Sequence, residues 1–191
     1  DELCANFFTL SENRKRIKQE KIPKIFSSKN SKNIEKKLSF TLTNSQKKVL
    51  TEINNDLSSK KRMFRIIQGD VGSGKTIVSL LAIANIIESG YQCALMGPTE
   101  ILARQHFELT KKIFKNTNFK LDFITGKTET NKRKKILINL EEGKTNLLIG
   151  THALFQKKIN FKKLGLVVID EQHKFGVKQR SELAKKGGNN C

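Results

Sequence analysis

The sequence predicts an α/β fold in which helices cover both faces of a mostly parallel sheet, and two observations lead to this prediction. From about residue 38 onward, short apolar runs alternate with segments of helical periodicity. Strands of a parallel sheet are buried on both faces, so they form nearly unbroken apolar runs. Ligands of such sheets bind beyond the carboxyl ends of the strands. The residues that follow each run are therefore the candidate site residues.

The elements are predicted in an alternating order. The apolar runs predict strands at 63–68, 92–97, 120–125, 146–151 and 166–170. The periodic segments predict helices at about 44–57, 75–89, 100–115, 129–141 and 174–186. No internal repeat interrupts this pattern.

The N-terminal segment has a different texture. Leu3, Phe7 and Leu10 recur at spacings of three and four, which predicts a helix over about 2–20. Residues 21–37 are basic, rich in Ser and Asn, and include Pro23, so we interpret them as a linker. The predicted division is a helix with a basic linker over 1–37, followed by an α/β domain over 38–191.

The composition narrows the possible partners and compartment. A formal net charge of +19 favours a polyanionic partner, with nucleic acid first, although a Lys-rich composition can also reflect the genome. No run approaches the roughly 20 apolar residues that a membrane span needs. Three scattered cysteines form no metal-binding pattern and indicate reduced thiols in the cytoplasm.

A glycine-rich stretch, "GDVGSGKT", connects the first predicted strand to a helix. It matches the phosphate-loop pattern G-x-x-x-x-G-K-[ST] at every required position. Glycines allow the backbone to curl so that its N–H groups face phosphate oxygens, and the following helix adds the positive end of its dipole. We expect Lys75 to reach the β- and γ-phosphates and the Thr76 hydroxyl to hold Mg²⁺. The predicted nucleotide-binding residues of the loop are Gly69, Asp70, Val71, Gly72, Ser73, Gly74, Lys75 and Thr76.

Two adjacent acids, Asp170 and Glu171, end the last apolar run. Beside a phosphate loop, Asp170 is placed to hold Mg²⁺ and Glu171 to orient and deprotonate an attacking water. Without that loop, two such acids would more often form a solvated turn or a helix N-terminus. The expected chemistry is phosphoryl transfer to water. The loop ends in Lys-Thr, which argues against a dinucleotide fold, and the absence of a DFG element argues against a protein kinase.

Further motifs resemble those of the superfamily 2 helicases, a class of P-loop NTPases with a RecA-like fold. "FTLTNSQ" resembles their glutamine motif, which implies that Gln46 reads the adenine of ATP. "PTEILARQH", "TG" at 125–126 and "GTHALFQ" resemble their DNA-side motifs, and "DEQH" resembles their motif II.

Together, "GDVGSGKT", "PTEILARQH", "GTHALFQ" and "VVIDEQHKFGVKQR" resemble the bacterial RecG-type DNA helicases. The resemblance implies a monomeric ATP-binding motor domain that translocates on double-stranded DNA and remodels stalled replication forks and Holliday junctions. Two alternatives stay open. A transcription-repair coupling translocase is disfavoured by Ser73 and Gln172, and the chain could instead be a non-catalytic, nucleotide-responsive DNA-binding module.

The resemblance also implies site residues outside the ATP motifs. His173 would act in the catalytic machinery as a relay between the nucleotide and the DNA, whereas His106 is expected to be structural. Ordinary alternatives, such as solvated helix positions and turn caps, remain for each of the DNA-side positions. The implied DNA-binding residues are Thr99, Arg104, Gln105, Thr125, Gly126, Thr151 and His152.

The family pattern further implies that the chain is a fragment. After Glu171 nothing resembles motif III or a second motor domain with its arginine finger. In related folds, the motif III strand lies between the phosphate-loop strand and the acidic strand. We therefore expect a gap in the sheet that leaves two strand edges unpaired, weak ATP·Mg²⁺ binding, and little hydrolysis by the isolated chain.

Overall fold

The computed structural model describes residues 20–176, 183 and 186–188. Within that part of the chain the strands are β1 Gln92–Met96, β2 Leu121–Ile124, β3 Leu147–Gly150 and β4 Leu164–Ile169. They form one sheet in the order β2-β3-β1-β4, and every neighbouring pair runs parallel. The predicted α/β class is confirmed, and four of the five predicted strands are present.

The helices of the described residues are α1 Lys29–Lys36, α2 Asn44–Ser58, α3 Lys75–Glu88, α4 Glu100–Ile113 and α5 Thr130–Glu141. Short 3₁₀ turns follow β3 and β4 at His152–Phe155 and Gln172–Lys174. Helices α2 to α5 lie where the periodicity predicts them, and α1 lies in the segment predicted as a linker.

Apolar side chains of the strands alternate between two cores, one on each face of the sheet. Cys93, Leu95 and Ile149 belong to the core that includes side chains of α1 to α4. Met96 and Leu148 belong to the opposite core, which includes side chains of α5. Both faces are therefore covered, which explains why the strands are apolar at consecutive positions rather than at every second one.

The first turns of two helices have clear causes in the sequence. The Thr43 hydroxyl accepts from the N–H of Gln46, whose side chain accepts in return from the N–H of Thr43, so α2 begins with a capping box. The Thr99 hydroxyl accepts from the N–H of Leu102 at 3.2 Å and caps α4.

The strand prediction for 63–68 is wrong. These residues are irregular, and Phe64 and Ile66 are about half exposed. Arg65 instead pairs with Glu52 and Asp56 of α2, at 2.7 and 2.8 Å, and its hydrogen bond to Asp56 raises the pKa of Arg65. A strand persists only when a neighbour completes its ladder, and residues 63–68 pair with no strand of the described sheet. Among the described residues β4 has no partner on its side away from β1, but the second open edge that we expected is absent because 63–68 form no strand.

The segment 21–37, which we interpret as a linker, contains a helix that its composition does not predict. Helix α1 packs against α3, and the Glu88 carboxylate accepts from the N–H groups of Lys29 and Asn30 at the start of α1. Lys21 and Lys24 are buried; Nζ of Lys21 donates to carbonyls at the end of α2, including that of Leu57 at 2.6 Å. Hydrogen bonds from distant residues order a segment whose composition alone predicts a loop.

Several predictions fall wholly or largely outside the described residues. The helix predicted at 2–20 lies outside the described residues except for Glu20, which forms an isolated bridge to Lys61. Most of the helix predicted at 174–186 also lies outside, and the division at residue 37 stays a prediction. No helix in the described part of the chain is long and apolar enough to cross a membrane.

Candidate functional site

The loop 69–76 lies at the carboxyl end of the parallel sheet. Helix α3 begins at Lys75 and ends at Glu88, and β1 begins only a few residues later at Gln92. Because α3 packs along β1 and β4 after so short a connection, the chain reverses direction between α3 and β1. The N-terminal end of α3, with the loop before it, therefore lies near the end of the sheet where Asp170 follows β4.

The loop has the curled backbone that its glycines predict. Gly72 and Gly74 have φ values of 82° and 80°, in the left-handed region, and the N–H of Ser73 donates to the carbonyl of Asp70 at 3.1 Å. Nζ of Lys75 donates to the carbonyls of Gly69 and Asp70, at 2.6 and 2.7 Å. The ammonium group lies against the loop's own oxygens. On nucleotide binding, negatively charged phosphate oxygens would replace these neutral carbonyl oxygens as the acceptors of the Lys75 ammonium.

The side chain of Gln46 connects helix α2 to this loop. Its Oε1 accepts from the N–H of Thr43 at 2.8 Å, and its Nε2 donates to the carbonyl of Ser73 at 2.9 Å. A Cβ added to Gly74 would lie only 2.4 Å from that Nε2. Gln46 therefore supports the shape of the phosphate loop, a contact that the sequence motif did not indicate.

The two predicted acids occupy the turn after β4. The N–H of Asp170 donates to the carbonyl of Met96 in β1 at 2.9 Å, so the ladder between these strands fixes the position of its backbone. The N–H of Glu171 donates to Oδ1 of Asp170 at 3.0 Å. Glu171 has a φ of 46° and is exposed, so the chain turns sharply at the second acid. Glu171 therefore does not continue the extended backbone of β4.

His106, predicted to be structural, contacts Asp170 directly. Its Nε2 lies 2.7 Å from Oδ2 of Asp170, and its ring is mostly buried under α4. A carboxylate only accepts, so the contact requires a hydrogen on Nε2. His106 lies seven residues after the cap residue Thr99, and the structure places it on the buried side of α4. No local pattern in the sequence could indicate its partner, which lies 64 residues away.

The donor set fits Mg²⁺ held jointly by protein and nucleotide. Thr76 and Asp170 offer a hydroxyl and a carboxylate, both hard oxygen donors. Among the described residues, no group of three or more His, Cys, Asp or Glu forms a protein-only metal site. Mg²⁺ commonly keeps several waters and uses one or two protein groups with substrate phosphates, so a sparse site of this kind is suitable.

The loop and the acids face the same region without touching. Among residues 20–176, no hydrogen bond or ion pair joins Lys75 or Thr76 to Asp170 or Glu171. The two halves share an end of the sheet through topology alone. A ligand with several negative charges and a divalent cation would be needed to connect them.

The residues that follow β1 lie on an exposed surface of α4. The Thr99 hydroxyl caps the helix, and Arg104 and Gln105 are exposed. The Arg104 guanidinium lies 5.0 Å from the ring centroid of Phe123 and 3.5 Å from a Glu100 oxygen. These contacts keep a positive charge at the surface while its planar group rests on an aromatic ring.

The residues that follow β2 and β3 form two adjacent loops, because these strands are neighbours. The N–H of Thr125 donates to the Thr128 hydroxyl at 2.8 Å, and the Thr125 hydroxyl accepts from the N–H of Lys127. Thr151 is buried, whereas Gly126 and His152 are exposed. The threonine hydroxyl of the β2 loop thus serves its own backbone, and what faces outward is a glycine and a histidine.

Arg133 connects these two loops, and sequence reasoning missed this role. Its guanidinium donates to the carbonyl of Thr125 at 3.2 Å and to Oε1 of Gln156 at 2.5 Å. His173, the predicted relay, lies exposed in the 3₁₀ turn after Glu171, and its role stays a prediction.

Comparison with protein families finds one matching model in the part of the chain that carries these motifs. The DEAD/DEAH box helicase model matches residues 43–189. This span includes the loop 69–76, the acids after β4 and all of the loops that follow β1 to β3.

Curated relatives are similar over nearly the whole chain. The chain is 48% identical over 174 residues to the ATP-dependent DNA helicase RecG of Thermotoga maritima, covering 91% of this chain and 22% of that protein. It is 44% identical over 188 residues to the ATP-dependent DNA helicase RecG of Aquifex aeolicus, covering 98% of this chain and 24% of that protein. The chain therefore spans about a quarter or less of the length of these relatives.

Solved structures give the same picture of the fold. A structure of RecG bound to a three-way DNA junction superposes with a TM-score of 0.80 at 44% identity, covering 88% of this chain and 23% of the other. The UvsW helicase from bacteriophage T4 superposes with a TM-score of 0.61 at 18% identity, which indicates a shared fold. The RecA-like helicase fold expected from the sequence is confirmed.

Proposed function

From the premise that this chain belongs to the DEAD/DEAH box helicase family, we propose that it is the first motor domain of a RecG-type DNA helicase. In this proposal the domain binds ATP·Mg²⁺, and its hydrolysis drives translocation on double-stranded DNA. The identity of about 44–48% to RecG helicases over most of this chain supports the RecG type over a transcription-repair coupling translocase. We place its action in the cytoplasm, as a monomer.

We assign the ATP chemistry to the loop and the acid pair. The loop amides and Lys75 bind the phosphates, and Gln46 lies next to the loop, where it would reach the adenine. Thr76 and Asp170 would hold Mg²⁺, which shields phosphate charge during hydrolysis. Glu171 orients and deprotonates the attacking water, and His173 connects this site to the DNA. Lys75 is poised for its role, because its ammonium already lies against carbonyl oxygens of the loop.

We assign DNA contact to the loops that follow β1, β2 and β3. Branched DNA, such as replication forks and Holliday junctions, is the proposed substrate; the structure of a relative bound to a three-way junction supports it. A net charge of +19 favours binding to any DNA backbone. The residues assigned to this surface are Thr99, Arg104, Gln105, Thr125, Gly126, Thr151 and His152.

One observation carries the proposal: the phosphate loop and the acid pair lie at one end of the sheet that also bears the other helicase motifs. Parallel pairing aligns the carboxyl ends of β1, β2, β3 and β4. In the strand order, the acids of β4 lie at one edge, and the loops of β1, β3 and β2 follow across the sheet. Nucleotide and DNA would thus bind at neighbouring positions along the carboxyl end of the sheet.

Equilibrium binding of a fluorescent ATP analogue, with and without Mg²⁺, tests the proposal on the chain itself. Lys75→Ala removes charge-assisted bonds to phosphate, so we expect the affinity to fall on the order of 10- to 100-fold, or about 1.5–3 kcal/mol. Lys112→Ala removes the same charge from an exposed position of α4 and serves as the matched control. The absence of saturable, Mg²⁺-dependent binding, or equal binding by Lys75→Ala, would refute the proposal.

Phosphate release, measured separately with and without duplex DNA, distinguishes a motor from a binding module. We expect slow turnover by the isolated chain. Rapid DNA-stimulated turnover that Lys75→Ala abolishes would contradict the expectation of near-inactivity. The same assay can be run on full-length relatives that carry this domain. If they bind nucleotide but release no phosphate with or without DNA, the non-catalytic module is favoured instead.

A further inference from the structure

We propose that His106 is a positioning residue for the ATP site, which holds the Asp170 carboxylate in the orientation that Mg²⁺ binding requires. This inference rests on the proposed function, because it concerns the same carboxylate. It assigns a role to a histidine that the motif analysis left as part of the core. The proposal depends on geometry at three points: the buried ring, the short contact, and the fixed backbone of Asp170.

The ring of His106 lies behind the carboxylate. Its side chain is 11% exposed, whereas that of Asp170 is 38% exposed. The separation of 2.7 Å between Nε2 and Oδ2 is at the short end of the range for hydrogen bonds to a charged acceptor. One side of the carboxylate is thus bound to the protein interior, while the rest of the group remains accessible from solvent.

The backbone of Asp170 is already held, so its carboxylate has few remaining degrees of freedom. The N–H of Asp170 bonds to Met96 in β1, and Oδ1 accepts from the N–H of Glu171. The bond from His106 to Oδ2 is then the contact that constrains rotation from the other side. Each carboxylate oxygen has a second lone pair, so both bonds leave an acceptor site for a metal ion or its water.

A fixed carboxylate binds a metal ion more tightly than a mobile one. Hydrogen-bond partners that orient metal ligands typically contribute 10- to 100-fold in metal affinity. His106 also joins β4 to α4, the helix that carries the exposed Arg104 and Gln105. The orientation of Asp170 therefore depends on the position of a helix on the proposed DNA side, and no other hydrogen bond among the described residues joins α4 to Asp170.

The test compares His106→Gln with His106→Leu, two side chains of roughly similar volume. Gln carries an N–H group on its terminal amide that can reach Oδ2, whereas Leu fills the space with no donor. The measurement is Mn²⁺ binding, followed by electron paramagnetic resonance in the presence of ADP, with Mn²⁺ replacing Mg²⁺. We expect His106→Leu to raise the Mn²⁺ dissociation constant about 10- to 100-fold, and His106→Gln to raise it only about threefold or less.

Two controls separate positioning from folding. Metal-free binding of the fluorescent ATP analogue, measured in excess chelator, should be equal in all variants, because His106 does not contact the loop 69–76. Thr110→Val removes the hydroxyl that donates to the His106 carbonyl at 2.6 Å but keeps the imidazole. This variant should lower Tm and leave Mn²⁺ affinity unchanged.

The outcomes distinguish this inference from the proposed function. If the wild-type chain binds Mn²⁺ with nucleotide and His106→Leu binds it equally well, the positioning role is wrong while the function stands. A parallel loss of metal-free nucleotide binding in His106→Leu would likewise overturn it, since His106 would then be a core residue only. A wild-type chain that binds no Mn²⁺ with nucleotide would overturn both.

Discussion

Two regions at the carboxyl end of the sheet use their polar side chains differently. At the proposed nucleotide end, comprising Gln46, the loop 69–76, His106 and the acids 170–171, two side chains bond to distant segments. Gln46 reaches Ser73 across 27 positions, and His106 reaches Asp170 across 64. On the proposed DNA side, comprising the loops after β1, β2 and β3, side chains bond mainly to their own turns. Thr99 caps its own helix, and Thr128 accepts from Thr125 three residues earlier.

This difference fits what each part is proposed to recognise. A nucleotide triphosphate with Mg²⁺ requires a few charged atoms in fixed places, and long-range bonds hold those atoms. A DNA backbone offers repeated phosphates that amides, hydroxyls and surface cations bind with little regard to sequence. We therefore expect single substitutions to have large effects at the nucleotide end and small effects on DNA affinity at the DNA side.

Gly74→Ala should have the largest of the three effects. An alanine in the left-handed region costs about 1–2 kcal/mol. Its Cβ would also displace the Gln46 amide from Ser73, which loses a bond of about 1 kcal/mol. Thermal or urea unfolding should show a loss of about 2–3 kcal/mol in the free energy of unfolding, accompanied by weaker binding of the ATP analogue.

Gly72→Ala is the matched control, because Gly72 has nearly the same φ and no atom within 4 Å of an added Cβ. The difference between the two variants isolates the contact with Gln46, and it should vanish when both are made in a Gln46→Ala background. Equal losses from Gly72→Ala and Gly74→Ala in the wild-type background would show that Gln46 does not support the loop.

Thr99→Ala should have an intermediate effect, on stability rather than on DNA. Loss of the helix cap costs about 1 kcal/mol, and Thr99→Ser should restore most of it. Fluorescence anisotropy with labelled duplex DNA should show a change in affinity of about twofold or less. A large loss of DNA affinity at unchanged stability would instead mean that the Thr99 hydroxyl binds phosphate directly.

Arg104→Ala should have the smallest effect, a loss of a few-fold in DNA affinity. One phosphate contact fewer should reduce the slope of log affinity against log salt by about one. Arg104→Lys keeps the charge and should keep the slope, although it loses the planar contact with Phe123. A slope unaffected by Arg104→Ala would place the DNA away from α4.

Patterns that are local in the chain predicted their elements well. The apolar runs of β1 to β4 and the periodicity of α2 to α5 were sufficient, because both depend on burial of neighbouring residues. The run at 63–68 is also largely apolar, but a strand also requires a partner, and composition carries no information about partners. Helix α1 was missed for the converse reason, since Glu88, far along the chain, stabilises its first turn.

The candidate site divides in the same way. The left-handed backbone of Gly72 and Gly74 was predicted, because the loop motif specifies local backbone geometry. The role of Lys75 in phosphate binding stays a prediction. The positions of Asp170 and Glu171 followed from the end of an apolar run. The assignment of His106 to a purely structural role could not be improved from sequence, since its partner lies on another element.

By itself, the sequence determined the α/β class, the curled phosphate loop and the acids at the end of β4, because each depends on spacing within a few residues. Only the tertiary structure decided that β4 is an edge strand of the described sheet, that 63–68 is not a strand, and that Gln46 and His106 bond to Ser73 and Asp170. These outcomes depend on which distant segments pack together. Parallel pairing brings such segments together at the carboxyl end of the sheet. No local stretch of the chain specifies these long-range contacts or their energies.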